Sequence, residues 1–304
     1  MTRIALVTAI AAAGVDDDLD PLLDACARAG FAVQVRAWDD STVGWSRFDA
    51  AILRSPWDYV PRLGEFLDWC TRVSSQTRLI NPLPVVRWNT DKHYLADLAA
   101  RGVPVVPTAF VEPDGEALPA LQDFLAAHAD AAEFVVKPSV GAGSKDAQRY
   151  ARSQEFAAAN HLARLLDADR SAMLQPYLTS VDEHGETALM YFAGEFSHAI
   201  RKGALLRRDE GATNHLFAAE AITPRVPSQD ELALAERVIA AARDALGLDQ
   251  APLYARVDLI RDEAGNACLL ELELCEPSLF FAHAAGSANR FAAVLAKTLG
   301  GAAT

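Results

Sequence analysis

Cysteine is scarce in this chain of 304 residues. The four, Cys26, Cys70, Cys268 and Cys275, form no C-x-x-C pair and no Cys/His zinc spacing. Their scatter through apolar segments predicts free, mostly buried thiols in a reducing cytoplasm. No uninterrupted apolar run reaches ~18 residues, so no transmembrane helix is expected. Basic residues are in deficit: 28 Lys and Arg against 41 Asp and Glu, a net charge of −13. That deficit argues against a nucleic-acid binder or a membrane-surface protein, since both need basic patches, but it leaves room for a local basic cluster around an anion. Internal repeats and low-complexity linkers are also lacking. Arg3 followed by an apolar stretch over 4–13 imitates a short signal peptide, but a buried strand over 4–7 is the better reading. With 51% hydrophobic and 23% charged residues, wholesale disorder is excluded. The length allows two domains or one large α/β unit.

What is present begins with an α/β alternation over the first ~85 residues. RIALVT, FAVQVRAW, FDAAILR and the shorter RLINP read as strands. FDAAILR is a continuous apolar run of the kind that a parallel sheet buries on both faces. Helices are expected over 18–29, stopped by Gly30, and over 63–73. The third strand ends at Arg54 and runs into SPWDYV. Ligands of open α/β sheets sit at the carboxyl ends of strands, where Arg54, Trp57, Asp58 and Tyr59 lie. Asn89-Thr90-Asp91 is expected to cap a helix reaching Arg101, with Lys92 in its first turn, where the helix dipole disfavours a cation. Further on, 104–111 reads as extended, EFVVKP and AMLQPYL as strands, and 118–128, 154–166, 228–246 and 288–299 as helices. Two hairpins are expected, 187–192 with 195–201 and 253–261 with 267–274. The stretch 202–217 reads as polar and irregular, and the last five residues as frayed.

The second hairpin is the most informative piece. Glu271 and Glu273 are two apart on a strand and share a face, while Leu270, Leu272 and Leu274 take the other. On the partner strand Arg256 and Asp258 share a face. A four-residue loop over 263–266 pairs Asp258 with Glu271 and Arg256 with Glu273. Like charges directly opposite destabilise a sheet, and on an enclosed face a bound hard cation would offset that. With oxygen ligands only, the cation is magnesium rather than zinc. A solvated acidic face is the other reading. In VVKPSVGAGSKD, Lys137 precedes Gly141 and Gly143, and backbone amides plus a lysine suit a polyphosphate. The segment is neither a Walker A loop nor a Rossmann fingerprint, and an ordinary turn is the alternative. In AMLQPYL, a strand carrying Gln175 and ending at Pro176 leaves backbone groups free for a ligand edge, unless it is an ordinary edge strand.

The order of these pieces resembles the ATP-grasp superfamily. The matching stretches are NTDKHYLADLAARGVPVVPT, EFVVKPSVGAGSKD, MLQPYL, GETALMYFAGEFSHAIRK, YARVDLI and LLELELCEPSLF, which span most of residues 89–280. The resemblance implies an α/β plus α+β architecture. A Rossmann-like domain on the substrate side would cover 1–88. A small ATP-grasp subdomain with the glycine-rich loop would cover 89–179, and a C-terminal subdomain with the metal site 180–304. Motif by motif, Lys92 and Lys137 resemble the two phosphate-contacting lysines. The loop with Gly141, Gly143 and Ser144 resembles the flap over the phosphates. Gln175, Pro176, Tyr177 and Leu178 resemble the hinge that reads adenine. Glu186 resembles the ribose-binding acid, with Asp182 and Glu183 as alternates. Lys202 and Arg256 resemble the cations near the transferred phosphate, and Asp258, Glu271 and Glu273 the magnesium ligands. Two features depart from the pattern. The usual Glu-x-Asn is Glu271-Leu272-Glu273, and the usual Pro-Gly is Pro277-Ser278 with an extra residue before it.

RSPWDY, combined with GETALMYFAGEFSHAIRKG and LELELCEPSLF, is similar to the O-ureidoserine cyclo-ligases of cycloserine biosynthesis. The resemblance implies a cytoplasmic ligase, dependent on ATP and Mg2+, that activates a small amino-acid carboxylate as an acyl phosphate and closes a C–N bond within the same molecule. Its partners would be ATP and the small substrate, with no nucleic acid and no membrane; a homodimer is left open. Arg54 would clamp the substrate carboxylate, Asp58 pair its ammonium, and Trp57 and Tyr59 wall its pocket. Alternatively Arg54 forms a structural ion pair with Asp49 or Asp58, the two rings pack against the following helix, and Asp58 caps it. The rival functions are an intermolecular amino-acid or peptide ligase and a non-catalytic ATP-binding module. An NAD-dependent oxidoreductase is disfavoured, because VTAIAAAGV after the first strand lacks G-x-G-x-x-G.

Overall fold

The structure, a computed structural model, describes residues 1–206 and 221–300. The expected irregular segment from 207 onward and the tail 301–304 lie outside the described residues. The chain opens with β1 (Arg3–Thr8), α1 (Leu19–Arg28), β2 (Ala32–Ala37), β3 (Ala50–Ser55), α2 (Leu63–Ser74) and β4 (Arg78–Ile80). The four strands are parallel in the order β2-β1-β3-β4. Every residue of β3 is buried, as its unbroken apolar run requires between two helical layers. The SPWDYV loop winds into a single 3-10 stretch, Trp57–Arg62.

The helix expected after the Asn89-Thr90-Asp91 cap is α4 (Tyr94–Ala100), which starts later than expected, and a further helix, α3 (Leu83–Asn89), precedes the cap. Between them the Thr90 hydroxyl returns to the Val86 carbonyl at 2.9 Å, and the Lys92 amide donates to Ser139 at 3.0 Å. Lys92 therefore sits in a break tied to the glycine-rich loop, and not in the first turn of a helix that begins at Asn89. The second unit comprises β5 (Ala109–Val111), α5 (Ala117–Ala127), β6 (Glu133–Pro138), β7 (Gln148–Ala151), α6 (Glu155–Asp167) and β8 (Ala172–Pro176). Its antiparallel order is β5-β8-β6-β7, so β8 is an interior strand and the edge-strand alternative fails. Phe124, Phe134, Leu162 and Leu174 form the core beneath α5 and α6.

The last unit contains α7 (Ser180–His184), β9 (Glu186–Phe192), β10 (Glu195–Lys202), β11 (Ile222–Arg225), α8 (Gln229–Ala245), β12 (Tyr254–Arg261), β13 (Ala267–Glu273) and α9 (Ser287–Gly300). Its sheet is antiparallel in the order β11-β10-β9-β12-β13. Asp258 faces Glu271 and Arg256 faces Glu273, as expected. Nearer the turn, however, Arg261 pairs with Ala267 across a loop of five residues, not four. A bulge at Leu270 in β13, opposite the step from Asp258 to Leu259, absorbs the extra residue and restores the expected register at the acidic patch. One core, with Ile4, Leu22, Phe192 and Phe291, joins the first and last units. All four cysteines are free and buried. Among the described residues no helix is long and apolar enough to cross a membrane.

Candidate active site

A cavity of about 550 Å3 lies where the three sheets meet. Its apolar end carries Val106, Val135, Ile260 and Leu270, together with Gln175, Pro176, Tyr177 and Leu178 at the end of β8. The Gln175 side chain is committed to the Thr108 hydroxyl at 2.8 Å, so what that position offers a ligand is backbone. Tyr177 is fixed from two sides. Its hydroxyl donates to Asp182 at 2.5 Å, and the Arg149 guanidinium lies 3.5 Å from its ring centroid. Asp182 also takes Arg149, so it serves this scaffold. Of Glu186, Asp182 and Glu183, only Glu186 lines the cavity, with its carboxylate 2.8 Å from Lys202.

Lys92 and Lys137 converge on the middle of the cavity beside Gly141, Gly143 and Ser144. The Lys92 ammonium donates to the Gly141 carbonyl at 2.9 Å and lies 3.0 Å from Glu271. Burial works against its charge, but Glu271 outweighs burial and the pKa rises. Lys137 has no ion-pair partner among the described residues, and burial pulls its pKa down. A half-buried ammonium without an ion-pair partner is costly unless an anion joins it. Gly143 and Ser144 both adopt left-handed φ values, 61° and 57°, which bends the loop tightly over this point.

Lys202 from β10 and Arg256 from β12 stand at the far side of the lysine pair. Both hold Asp258, Lys202 at 2.7 Å and Arg256 through Nε at 2.9 Å, and Arg256 also pairs with Glu273. Burial opposes ionisation of Asp258, but Arg256 and Lys202 prevail and bring its pKa down to about 2. Asp258 is 1% exposed and stands behind the cavity lining, against Lys202 and Arg256. Among the described residues no three acidic, histidine or cysteine side chains form a ready metal cage. Glu271 and Glu273 do reach the cavity wall. Burial raises Glu273 to about 8 despite Arg256, with Glu271 and Asp258 adding to the rise. Glu271 and Glu273 thus present two neighbouring oxygen donors to the cavity, the ligand type a hard divalent cation takes, and Arg256 alone does not offset the cost of burying them together.

The RSPWDY loop behaves differently from expectation. Trp57 and Tyr59 line the cavity; Arg54 and Asp58 do not. Arg54 is fully buried and donates to the Pro277 carbonyl at 2.9 Å, so it cannot clamp a substrate directly. Asp58 faces away, accepting the Trp38 indole N–H at 2.8 Å and pairing with Arg62. Neither the Asp49 nor the Asp58 alternative for Arg54 holds; its nearest carboxylate is Asp18 at 3.9 Å. Trp57 donates to the Glu276 carbonyl at 3.0 Å, and the Tyr59 hydroxyl to the Glu276 carboxylate at 2.6 Å. Asp18 accepts the amides of Leu279, Phe280 and Phe281 at 2.5, 3.0 and 2.8 Å. The first unit thus grips the strap that follows β13. Sequence reasoning missed Asp16, Glu276, Ser278, Phe280 and His283, all in the cavity lining. The extra residue before Pro277 was the one signal that pointed to this strap.

An apolar slot, a lysine pair beside a glycine loop and an acidic hairpin, held between two antiparallel sheets, are the arrangement of an ATP-grasp ligase. The ATP-grasp ligase PsnB shares this fold, with a TM-score of 0.65 at 17% identity over 98% of this chain and 99% of that one. Residues 4–81 match the family described as D-cycloserine synthetase DcsG, N-terminal domain. The chain is 50% identical to the cycloserine biosynthesis protein DcsG of Streptomyces lavendulae over 299 residues, 98% of this chain and 99% of that protein. The crystal structure of D-cycloserine synthetase DcsG superimposes with a TM-score of 0.93 at 49% identity, over 98% and 99% of the two chains. The chain belongs to the DcsG family of ATP-grasp enzymes, and it is an ATP-dependent carboxylate–amine ligase.

Proposed function

We propose that this protein uses Mg·ATP to convert the carboxylate of a small α-amino acid to an acyl phosphate and then closes a C–N bond within the same molecule. O-ureidoserine is the proposed substrate and cycloserine the product. The observation that carries this reading is one cavity joining a phosphate-binding middle at Lys92 and Lys137 to a confined end at Trp57, Tyr59 and Glu276. The strong likeness to D-cycloserine synthetase DcsG supports the choice of product.

Adenine would enter the apolar slot against the backbone of Gln175, Pro176, Tyr177 and Leu178, with Glu186 at the ribose. Lys92, Lys137 and the amides of Gly141, Gly143 and Ser144 would hold the phosphates. Glu271 and Glu273 would hold Mg2+, which when bound neutralises phosphate charge. Asp258 would keep Lys202 and Arg256 in place. The substrate carboxylate oxygen attacks the γ-phosphorus and ADP departs, while Lys202 and Arg256 offset the charge on the moving group. The nitrogen of the same molecule then attacks the acyl carbon and phosphate leaves. Being tethered, it needs no second amine site. The chain would divide into a substrate-side unit over 1–88, a flap-bearing unit over 89–179 and a catalytic unit over 180–304, working in the cytoplasm. Incubation with Mg·ATP and O-ureidoserine should yield cycloserine by mass spectrometry. ADP release only after a second amino acid is added would move the assignment to an intermolecular ligase.

A further inference from the structure

We infer that Glu276 recognises the ammonium group of the substrate, and that the RSPWDY loop acts on the substrate through it. The inference rests on the amino-acid reading above. Three contacts fix the start of the strap, and all come from the first unit. Trp57 holds the Glu276 carbonyl, Arg54 holds the Pro277 carbonyl, and the Tyr59 hydroxyl holds Glu276 Oε1. The carboxylate is therefore kept in one orientation within the cavity wall.

Its charge sets it apart from its neighbours. Glu186, Glu271 and Glu273 each lie against a lysine or arginine. Glu276 has no cationic side chain within 4.0 Å among the described residues, and the side chains that hydrogen-bond its carboxylate, the Tyr59 hydroxyl and the Cys275 thiol, are neutral. A partly buried carboxylate without a counter-charge is costly unless a cation arrives from the ligand. Two features select an ammonium over a second metal ion. One oxygen already accepts a hydroxyl donor, and the adjoining wall is the Trp57 and Tyr59 rings, which attract organic cations. Mg2+ instead retains several waters and open oxygen donors. Asp58, the carboxylate expected for this task, is turned away and occupied by Trp38 and Arg62.

The test measures ADP release with O-ureidoserine and with its analogue carrying hydrogen in place of the α-ammonium. Glu276→Gln keeps the size of the side chain and an acceptor for Tyr59. It should raise the KM for the ammonium-bearing substrate about 10- to 100-fold, the effect of losing one charged hydrogen bond. The KM for ATP and the kcat/KM for the analogue should stay within about 2-fold, so the preference of the wild type for the ammonium collapses. Tyr59→Phe, which frees the carboxylate without removing it, should give a smaller loss of the same preference. The assignment is overturned if Glu276→Gln keeps the preference, loses both substrates equally, or changes only the Mg2+ requirement. It is also overturned if Asp16→Asn, whose Oδ2 is buried without a hydrogen-bond partner, erases the preference instead. If the wild type releases no ADP with any member of an amino-acid panel, the amino-acid reading itself falls and takes the ammonium role with it.

Discussion

Lys137 shows how one side chain reports a ligand. It is the penultimate residue of β6, has no carboxylate partner within ion-pair distance among the described residues, and is held at a lowered pKa by burial. Lys137→Ala should leave the fold intact and weaken ATP binding about 10- to 100-fold, the effect of one charge-assisted contact; calorimetry with ATP checks this. His161 is the opposite case, a buried titratable group with a structural role. It lies 3.1 Å from the Tyr150 hydroxyl, and burial, with Arg164 adding to it, lowers its pKa to about 4. Unfolded, it takes a proton near 6.5, so between those values the unfolded chain binds more protons. Stability is therefore fully present above pH ~6.5 and falls as pH drops towards ~4. In His161→Leu the decline of Tm over this window should be shallower, whatever the cost at neutral pH.

At the scale of elements, the strap after β13 and the turn before β9 position the chemistry. Asp18, beside the start of α1, accepts three successive strap amides. Asp18→Ala leaves those buried donors unpaired and should cost about 2 kcal/mol or more. Urea denaturation measures it, and a rise in amino-acid KM larger than any rise in ATP KM should accompany it. Gly185 precedes β9 with φ 68°, and a Cβ there would lie 2.3 Å from the Lys202 carbonyl. Gly185→Ala should destabilise by more than about 1 kcal/mol and slow turnover, because the collision displaces the end of β10 that carries Lys202. A Tm unchanged from wild type would contradict this.

For the whole molecule, the three sheets close on one cavity, and nucleotide should tighten the assembly. Residues 139–147 carry little side chain at Gly141, Ala142 and Gly143, and left-handed φ values at Ser144 and Asp146. Their amides should exchange quickly without ligand and slow markedly with Mg·ATP. Saturation at ~100 Kd should add about 2.7 kcal/mol to stability. Exchange already slow without nucleotide and unchanged by it would contradict the closure. A closed loop would also keep water from an acyl phosphate.

Periodicity and local chemistry fixed much of this in advance. The apolar runs of β1 and β3 and the Glu271/Glu273 alternation follow from side-chain period, a local property, whereas the facing of Asp258 with Glu271 holds only because a bulge offsets a loop one residue longer than expected. The Lys137 loop and the Ser228 start of α8, whose capping box is present, are local too. The short strand β7, the break that frees Lys92 and the bulge at Leu270 in β13 were not legible, because each is set by what the segment pairs with and not by its own residues. The same holds for the carboxylates. Local order alone cannot tell that Asp258 meets Lys202 and Arg256, that Asp58 turns to Trp38, or that Arg54 is buried and bonded to Pro277. Charge identity is written in the chain, but which charge meets which is settled only when residues more than 200 positions apart, Arg54 and Pro277 among them, are packed together.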